Sequence, residues 1–226
     1  SVVHTSSAGV YGEPGELPIT EDQPHDPRTP YGLHKHLVGR YLEFYHRERG
    51  LSYSNLHLAN VYGPGESSSR ENAVVPTFVT QVLRGAPVTV HGDGLQTRDF
   101  VYVNDVAQAV LEAVEQPANR SVNISAGRGV SLLELVELLS EVVGLPTEFT
   151  HEPERAGDIR HSVLSNELAR KLWGWQPQVE LKTGLLETMA HAVRNMELEG
   201  FRRQAVTGAL EELELSLAET AAANPA

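Results

Sequence analysis

The strongest constraint on the fold is a strand that ends in hydroxyl residues, followed by a long loop, a long helix and a second strand. Val2 and Val3 run straight into Thr5-Ser6-Ser7. A loop rich in Gly, Pro and Asp spans Gly12 to Pro30. The spacing then predicts a helix from about Tyr31 to Arg49, entered after Thr29-Pro30 and stopped by Gly50. Leu37, Tyr41, Leu42 and Tyr45 recur at helical intervals and give it one apolar face. Tyr53 to Leu58 reads as the next strand, ending at Asn60-Val61-Tyr62-Gly63-Pro64. Strand, helix, strand in this order is a βαβ crossover, which pairs its strands in parallel. A buried parallel strand needs neighbours on both sides. The chain before Val2 supplies none, so the first strand is expected to be the remainder of a longer one.

Beyond Gly65 the texture changes. A polar loop, Ser67 to Asn72, precedes a helix expected over about Pro76 to Arg84 and a short strand, Val88 to His91. Gly92-Asp93-Gly94 is a turn, Phe100 to Val103 is strand-like, and Asn104 or Asp105 is expected to cap a helix running to about Glu115. Val122 to Ser125 is another short strand. Ser131-Leu132-Leu133-Glu134 is a capping box that opens a helix to Val143. Further helices are expected from Ser165 to Gly174 and from Leu185 to Met196. The irregular alternation reads as an α+β lobe. Val206, Leu210, Leu213 and Leu217 make 202–220 an acidic amphipathic helix, packed on the body or offered to a partner.

Composition removes several function classes. The 226 residues carry 18 Lys and Arg against 30 Asp and Glu, a formal net charge of −12. Such a chain lacks the basic face a nucleic-acid binder needs. A small anionic ligand stays open, because two or three local Arg or Lys residues can hold a diphosphate. Cysteine is absent, which excludes disulfides, thiolate-zinc sites and a thiol nucleophile. No apolar run reaches the ~20 residues of a membrane span, and a cytoplasmic location is expected. The ten histidines show no metal-ligand spacing; His34 and His36 point to different sides of their helix, and no metal is expected.

The residues that carry chemistry are Ser7, Tyr31 and Lys35. Tyr31 and Lys35 lie four apart at a helix start, so both project from one face about a turn apart. A free phenol, with a pKa of ~10, is a poor base at neutral pH. A fixed ammonium beside it favours the phenolate. A phenolate so placed can take a proton from a sugar hydroxyl while a hydride leaves the same carbon. Ser7, at a strand end, can hydrogen-bond the same oxygen. Tyr and Lys at this spacing are commonly plain surface neighbours; the strand-end hydroxyls and the further motifs give the pair its weight.

Those motifs are Thr5-Ser6-Ser7-Ala8-Gly9-Val10-Tyr11-Gly12, Pro30-Tyr31-Gly32-Leu33-His34-Lys35, Asn60-Val61-Tyr62-Gly63-Pro64, the run Gly92 to Val103 around Arg98-Asp99, Arg155-Ala156-Gly157-Asp158 and Leu172-Trp173-Gly174-Trp175-Gln176-Pro177. The chain resembles the extended short-chain dehydrogenase/reductase family, in its NAD-dependent nucleotide-sugar epimerase/dehydratase branch, and is similar to UDP-glucose 4-epimerases. The resemblance implies an α/β fold: the C-terminal part of a doubly wound, Rossmann-like parallel sheet (residues 1–64), a small α+β nucleotide-sugar lobe (65–198, with about 98–115 returning to the sheet) and a C-terminal helix and tail (199–226). It implies Tyr31 as catalytic base, Lys35 as the group that holds the cofactor ribose and tunes Tyr31, and Ser7 as assistant. Ser6, Tyr31, Lys35 and Leu58 would contact NAD. Asn60, Arg98 and Arg155 would bind the substrate diphosphate, Asp158 the nucleoside ribose, and Thr89, His91, Asn72 and Val74 would border the base pocket. A homodimer through helices including the one bearing Tyr31 is implied for the intact protein.

Within the branch, Ala8-Gly9 after Ser7 lacks the Asp-Glu pair of sugar dehydratases and the Cys of fucose-forming epimerase-reductases. Redox at one carbon remains, as in 4-epimerisation of a UDP-sugar; a nucleotide-sugar reductase or decarboxylase stays open. So does a degenerate, non-catalytic member that binds a nucleotide sugar or a protein. The pattern departs from the family in three places. No G-x-G-x-x-G dinucleotide fingerprint is present, so the main NAD-binding half is expected outside this chain. His57 stands where the family often has Arg, and His34 where it has a small residue.

Overall fold

The computed structural model describes residues 1–66, 73–155 and 157–195. The helix read over 202–220 and the residue Asn72 lie outside them. In chain order, strand β1 is Val2–Thr5, helix α1 Pro30–Arg49, β2 Tyr53–Leu58, β3 Asn60–Tyr62, α2 Val74–Leu83, β4 Val88–His91, β5 Thr97–Tyr102 and α3 Val103–Glu115. There follow β6 Arg120–Ile124, β7 Gly129–Ser131, α4 Leu132–Val143, β8 Phe149–Glu152, β9 His161–Ser162, α5 Glu167–Trp173 and α6 Leu181–Asn195. The architecture is α/β. None of the described helices is long and apolar enough to cross a membrane.

The chain divides into two compact units. The first takes Ser1–Val61, Leu95–Leu132 and Glu154–Val179. Its base is a parallel sheet in the order β1-β2-β6, with Val2 opposite Tyr53 and Ser54 opposite Arg120. Side chains alternate across a strand. Leu56 therefore joins Val106, Ala109, Val122, Ile124 and Trp175 in an apolar core with α3, while Asn55 and His57 point the other way, toward α1. There the helix comes so near that a Cβ on Gly39 would lie 2.8 Å from Asn55 Nδ2.

Strand β5 centres a second sheet, pairing with β3, antiparallel with β7 and in parallel with β9. Its polar start, Thr97-Arg98-Asp99, is strand because both edges are paired, so the strand begins three residues earlier than the expected Phe100. Strands β7 and β9 are too short to leave a periodic pattern.

The second unit takes Tyr62–Gly94, Leu133–Pro153 and the described part of Glu180–Ala226. Strands β4 and β8 pair in parallel. Helices α2, α4 and α6 bury Val75, Phe78, Val79, Val82, Leu135, Leu139, Leu185 and Met189.

Two expectations need correction. Neither Asn104 nor Asp105 caps α3: the N-cap is Tyr102, without a side-chain bond. Asp105 sits in the first turn, buried, and its carboxylate accepts from the backbone N–H of Gln178 (3.1 Å) and Val179 (3.2 Å). The apolar stripe of α1 is packed only at Leu42. Helix α1 buries Gly32, Gly39 and Leu42, whereas Leu37, Tyr41 and Tyr45 are 44%, 64% and 48% exposed.

Candidate active site

Ser7 follows β1 and caps a short 3₁₀ turn, Ala8–Val10. Its Oγ accepts from Gly9 N at 3.1 Å, which leaves the hydroxyl proton free to be donated elsewhere. Thr29 caps α1, its Oγ1 accepting from Gly32 N at 3.0 Å, and Pro30 opens the first turn. The helix start then meets the turn after Ser7 backbone to backbone. A Cβ on Gly32 would stand 2.4 Å from Gly9 O, so only a glycine lets these two segments approach. Tyr31 precedes Gly32 and is carried with it. One turn on, Lys35 Nζ donates to Thr5 O, the last residue of β1, at 2.6 Å and lies 5.7 Å from the Tyr31 ring centroid. Strand end, turn and helix start thus hold Ser7, Tyr31 and Lys35 in one neighbourhood. Tyr31 itself is half exposed.

The same neighbourhood suits a dinucleotide. Ser6 is buried, and its Oγ has no hydrogen-bond partner among the described residues. An unmatched buried hydroxyl is costly unless a ligand or water completes it. Lys35 keeps two further N–H donors after bonding Thr5 O. Leu58 packs, half-buried, against the α3 side of the sheet. The unpartnered Ser6 hydroxyl and the two remaining Lys35 donors are the kind of groups that a bound sugar hydroxyl would complete.

Arg98 and Asp158 come together beside β5, and Arg155 opens the turn that carries Asp158. The turn Arg155–Asp158 closes through Asp158 N and Arg155 O at 3.2 Å, with Gly157 at φ +79°. Arg98 Nη2 pairs with the Asp158 carboxylate, and Nη1 donates to Thr97 O at 2.9 Å. Asp99 does not pair with Arg98. Its oxygens accept from the backbone N–H of Ala126 (2.8 Å), Gly127 (3.1 Å) and Leu164 (3.2 Å). Asn60 begins β3 in the same unit. Thr89, His91 and Val74 belong to the second unit. There Gln81 grips Thr89 twice, Nε2 to Oγ1 at 3.1 Å and Oε1 from Thr89 N at 3.3 Å. His91 Nδ1 lies 3.3 Å from Pro153 O and 3.9 Å from Glu152.

A buried polar network, unforeseen in the sequence, lies between α1 and the sheet. Tyr11 OH bonds His57 Nδ1 (2.9 Å) and Asn123 Oδ1 (2.7 Å); Asn55 bonds His4, His57 and Ser121. His25 and His36 meet at 2.8 Å, and the His25 ring stands edge-on to Tyr11 and His57. Burial dominates here. It pushes the Tyr11 phenol up, and it holds His57 down at about 3, with the His25 and His4 rings adding to the effect. No group of His, Asp or Glu among the described residues is arranged to hold a metal. A separate cleft of about 530 Å³ in the first unit is lined by Glu21, Glu43, Tyr53, Arg120 and Lys171, away from Ser7 and Tyr31.

The model of the NAD dependent epimerase/dehydratase family matches residues 1–125. The chain belongs to that family. Among curated family relatives, UDP-glucose 4-epimerase of Mycolicibacterium smegmatis is 41% identical over 191 residues, covering 83% of this chain and 61% of that protein. UDP-glucose 4-epimerase of Corynebacterium glutamicum is 34% identical over 199 residues, 81% of this chain and 60% of its own length. The crystal structure of UDP-glucose 4-epimerase from Thermotoga maritima with UDP-glucose superposes with a TM-score of 0.83 at 40% identity, covering 86% of this chain and 64% of that one. The chain therefore spans about three fifths of the length of the family members it matches.

Proposed function

We propose that the intact protein interconverts the C4 epimers of a UDP-hexose, UDP-glucose and UDP-galactose, through a transient 4-keto sugar. The observation that carries this reading is the Gly9–Gly32 approach with the Lys35–Thr5 bond, which seats Tyr31 and Lys35 against the hydroxyl-bearing strand end. NAD, when bound, supplies the hydride acceptor and donor at C4. Ser7 donates its free proton to the C4 oxygen. The Tyr31 phenolate takes the C4 hydroxyl proton as the carbonyl forms and returns it after the keto sugar has presented its other face. Lys35, with two N–H donors remaining, holds the cofactor ribose beside Tyr31.

Substrate recognition follows from the β5 side. Arg98 and Arg155 face the diphosphate, where a guanidinium fork matches paired oxygens. Asp158 serves the ribose, Asn60 the diphosphate, and Thr89, His91, Asn72 and Val74 the base. The exposed Leu37, Tyr41, Phe44 and Tyr45 of α1 support a homodimer through that helix. The test is NAD content of the natural full-length protein, then UDP-glucose turnover by wild type and Tyr31→Phe. Bound NAD, formation of UDP-galactose, and a variant that keeps UDP binding but loses nearly all turnover are expected. Equal turnover in the variant would end the assignment.

A further inference from the structure

We propose that Asp99 is a positioning residue for nucleotide binding: its carboxylate anchors the segment that carries Arg155 and Asp158, and so sets the geometry of the Arg98–Asp158 pair. This rests on the UDP-sugar reading above. Asp99 is 1% exposed, and no cation pairs with it among the described residues. Three backbone N–H groups from two distant stretches converge on it instead, Ala126 and Gly127 after β6 and Leu164 after β9. An amide in its place would have one acceptor oxygen and would turn an NH₂ toward an N–H. The arrangement therefore asks for a carboxylate, although burial pushes its pKa up to about 7.

The placement explains what this costly carboxylate holds. Side chains alternate along β5, so Arg98 and Asp99 leave the strand on opposite faces, and both reach the same stretch of chain. Arg98 takes Asp158. Thr97 N donates to Arg160 O at 3.0 Å, and Thr97 Oγ1 lies 3.0 Å from His161 Nδ1. Asp99 takes Leu164 N, while Ser125 Oγ donates to Leu164 O at 2.9 Å. Three consecutive strand residues thus fasten 158–164 to the strand that bears the diphosphate-binding Arg98. Releasing the far fastening lets the Arg155–Asp158 turn shift against Arg98. Affinity for the nucleotide is then lost, while proton transfer at Tyr31 is not.

The experiment is UDP titration and UDP-glucose kinetics on the natural full-length, NAD-loaded protein, with Asp99→Asn and the milder, nearly isosteric Thr97→Val. Asp99→Asn is expected to raise the UDP Kd and the KM at least tenfold with kcat changed less than threefold, and Thr97→Val to raise both severalfold. Asp99→Glu, which restores the charge, recovers part of the affinity. A purely structural role predicts a lower melting temperature with unchanged UDP affinity, and that result overturns the proposal. If Asp99→Asn does not fold, Thr97→Val decides in the same way: a raised Kd supports the proposal and an unchanged Kd overturns it. Absence of UDP binding by wild type would instead overturn the UDP-sugar reading, and this proposal with it.

Discussion

The interiors of the two units are built from different interactions. Every buried polar or charged residue among those described lies in the first unit, from Ser6, Asn55 and His57 to Asp99, Asp105 and Asn123, except Thr188. Thr188 only returns its hydroxyl to Gly184 O of its own helix, at 2.7 Å. The second unit is packed by aliphatic side chains with Phe78 and Tyr62. Hydrogen bonds fix distance and angle; apolar packing fixes volume. The unit that holds Ser7, Tyr31 and Lys35 adds the directional kind to its apolar core.

That contrast can be broken by experiment. The largest effect is expected at the chemistry itself: Tyr31→Phe should lower turnover by about 10²–10⁴, the range for a positioned acid–base group, in a steady-state assay of the full-length protein. Next, Leu139→Ala in the second unit should cost about 2–5 kcal/mol in denaturant unfolding, while the volume-conserving Leu139→Met costs less than about 1.5. In the first unit the volume-conserving change is the harmful one. Asn55→Leu removes one hydrogen bond each from His4, His57 and Ser121, while His57 keeps Tyr11, and should cost about 1–3 kcal/mol for a buried polar group left unmatched. If Asn55→Leu is as mild as Leu139→Met, the distinction between the units fails.

The smallest effect is one of pH. Burial holds His57 neutral down to about 3, against an ordinary value of 6.5. Below about pH 6 the unfolded chain binds a proton that the fold refuses, so this residue contributes a loss of stability as pH falls and nothing above about pH 7. The slope is about 1.4 kcal/mol per pH unit at most. Asp99 and Glu21, raised by burial, act in the opposite sense. The readable quantity is therefore the difference between wild type and His57→Gln. Wild type should lose stability relative to the variant between pH 6 and pH 4, and parallel curves would refute the neutral, buried imidazole.

Legibility in the sequence follows the same division. Helix α1 is legible because its signals are local: Thr29-Pro30 at one end, Gly50 at the other, Tyr31 and Lys35 one turn apart. What brings Tyr31 to Ser7 is not local. The Gly9–Gly32 contact joins residues on different elements, and nothing in either glycine's neighbourhood distinguishes it from a turn glycine. Apart from the Asn55–His57 contact within β2, the partners of Asn55, His57 and Asp99 lie 27 residues away (Ala126) to 66 residues away (Ser121), and a pattern of polarity on a strand cannot name them. Asp105 shows the hazard: it reads as a helix cap, and the fold uses it to hold 178–179.

The most direct test of the chemistry follows one hydrogen. UDP-glucose carrying deuterium at C4 is turned over by the natural full-length protein in ordinary water, and the UDP-galactose formed is examined by mass spectrometry and NMR. Removal of the C4 hydroxyl proton by Tyr31, with hydride leaving and returning at the same carbon, predicts deuterium retained at C4 of the product. Loss of the label to solvent, or UDP-glucose recovered unchanged from an NAD-loaded enzyme, would contradict the account.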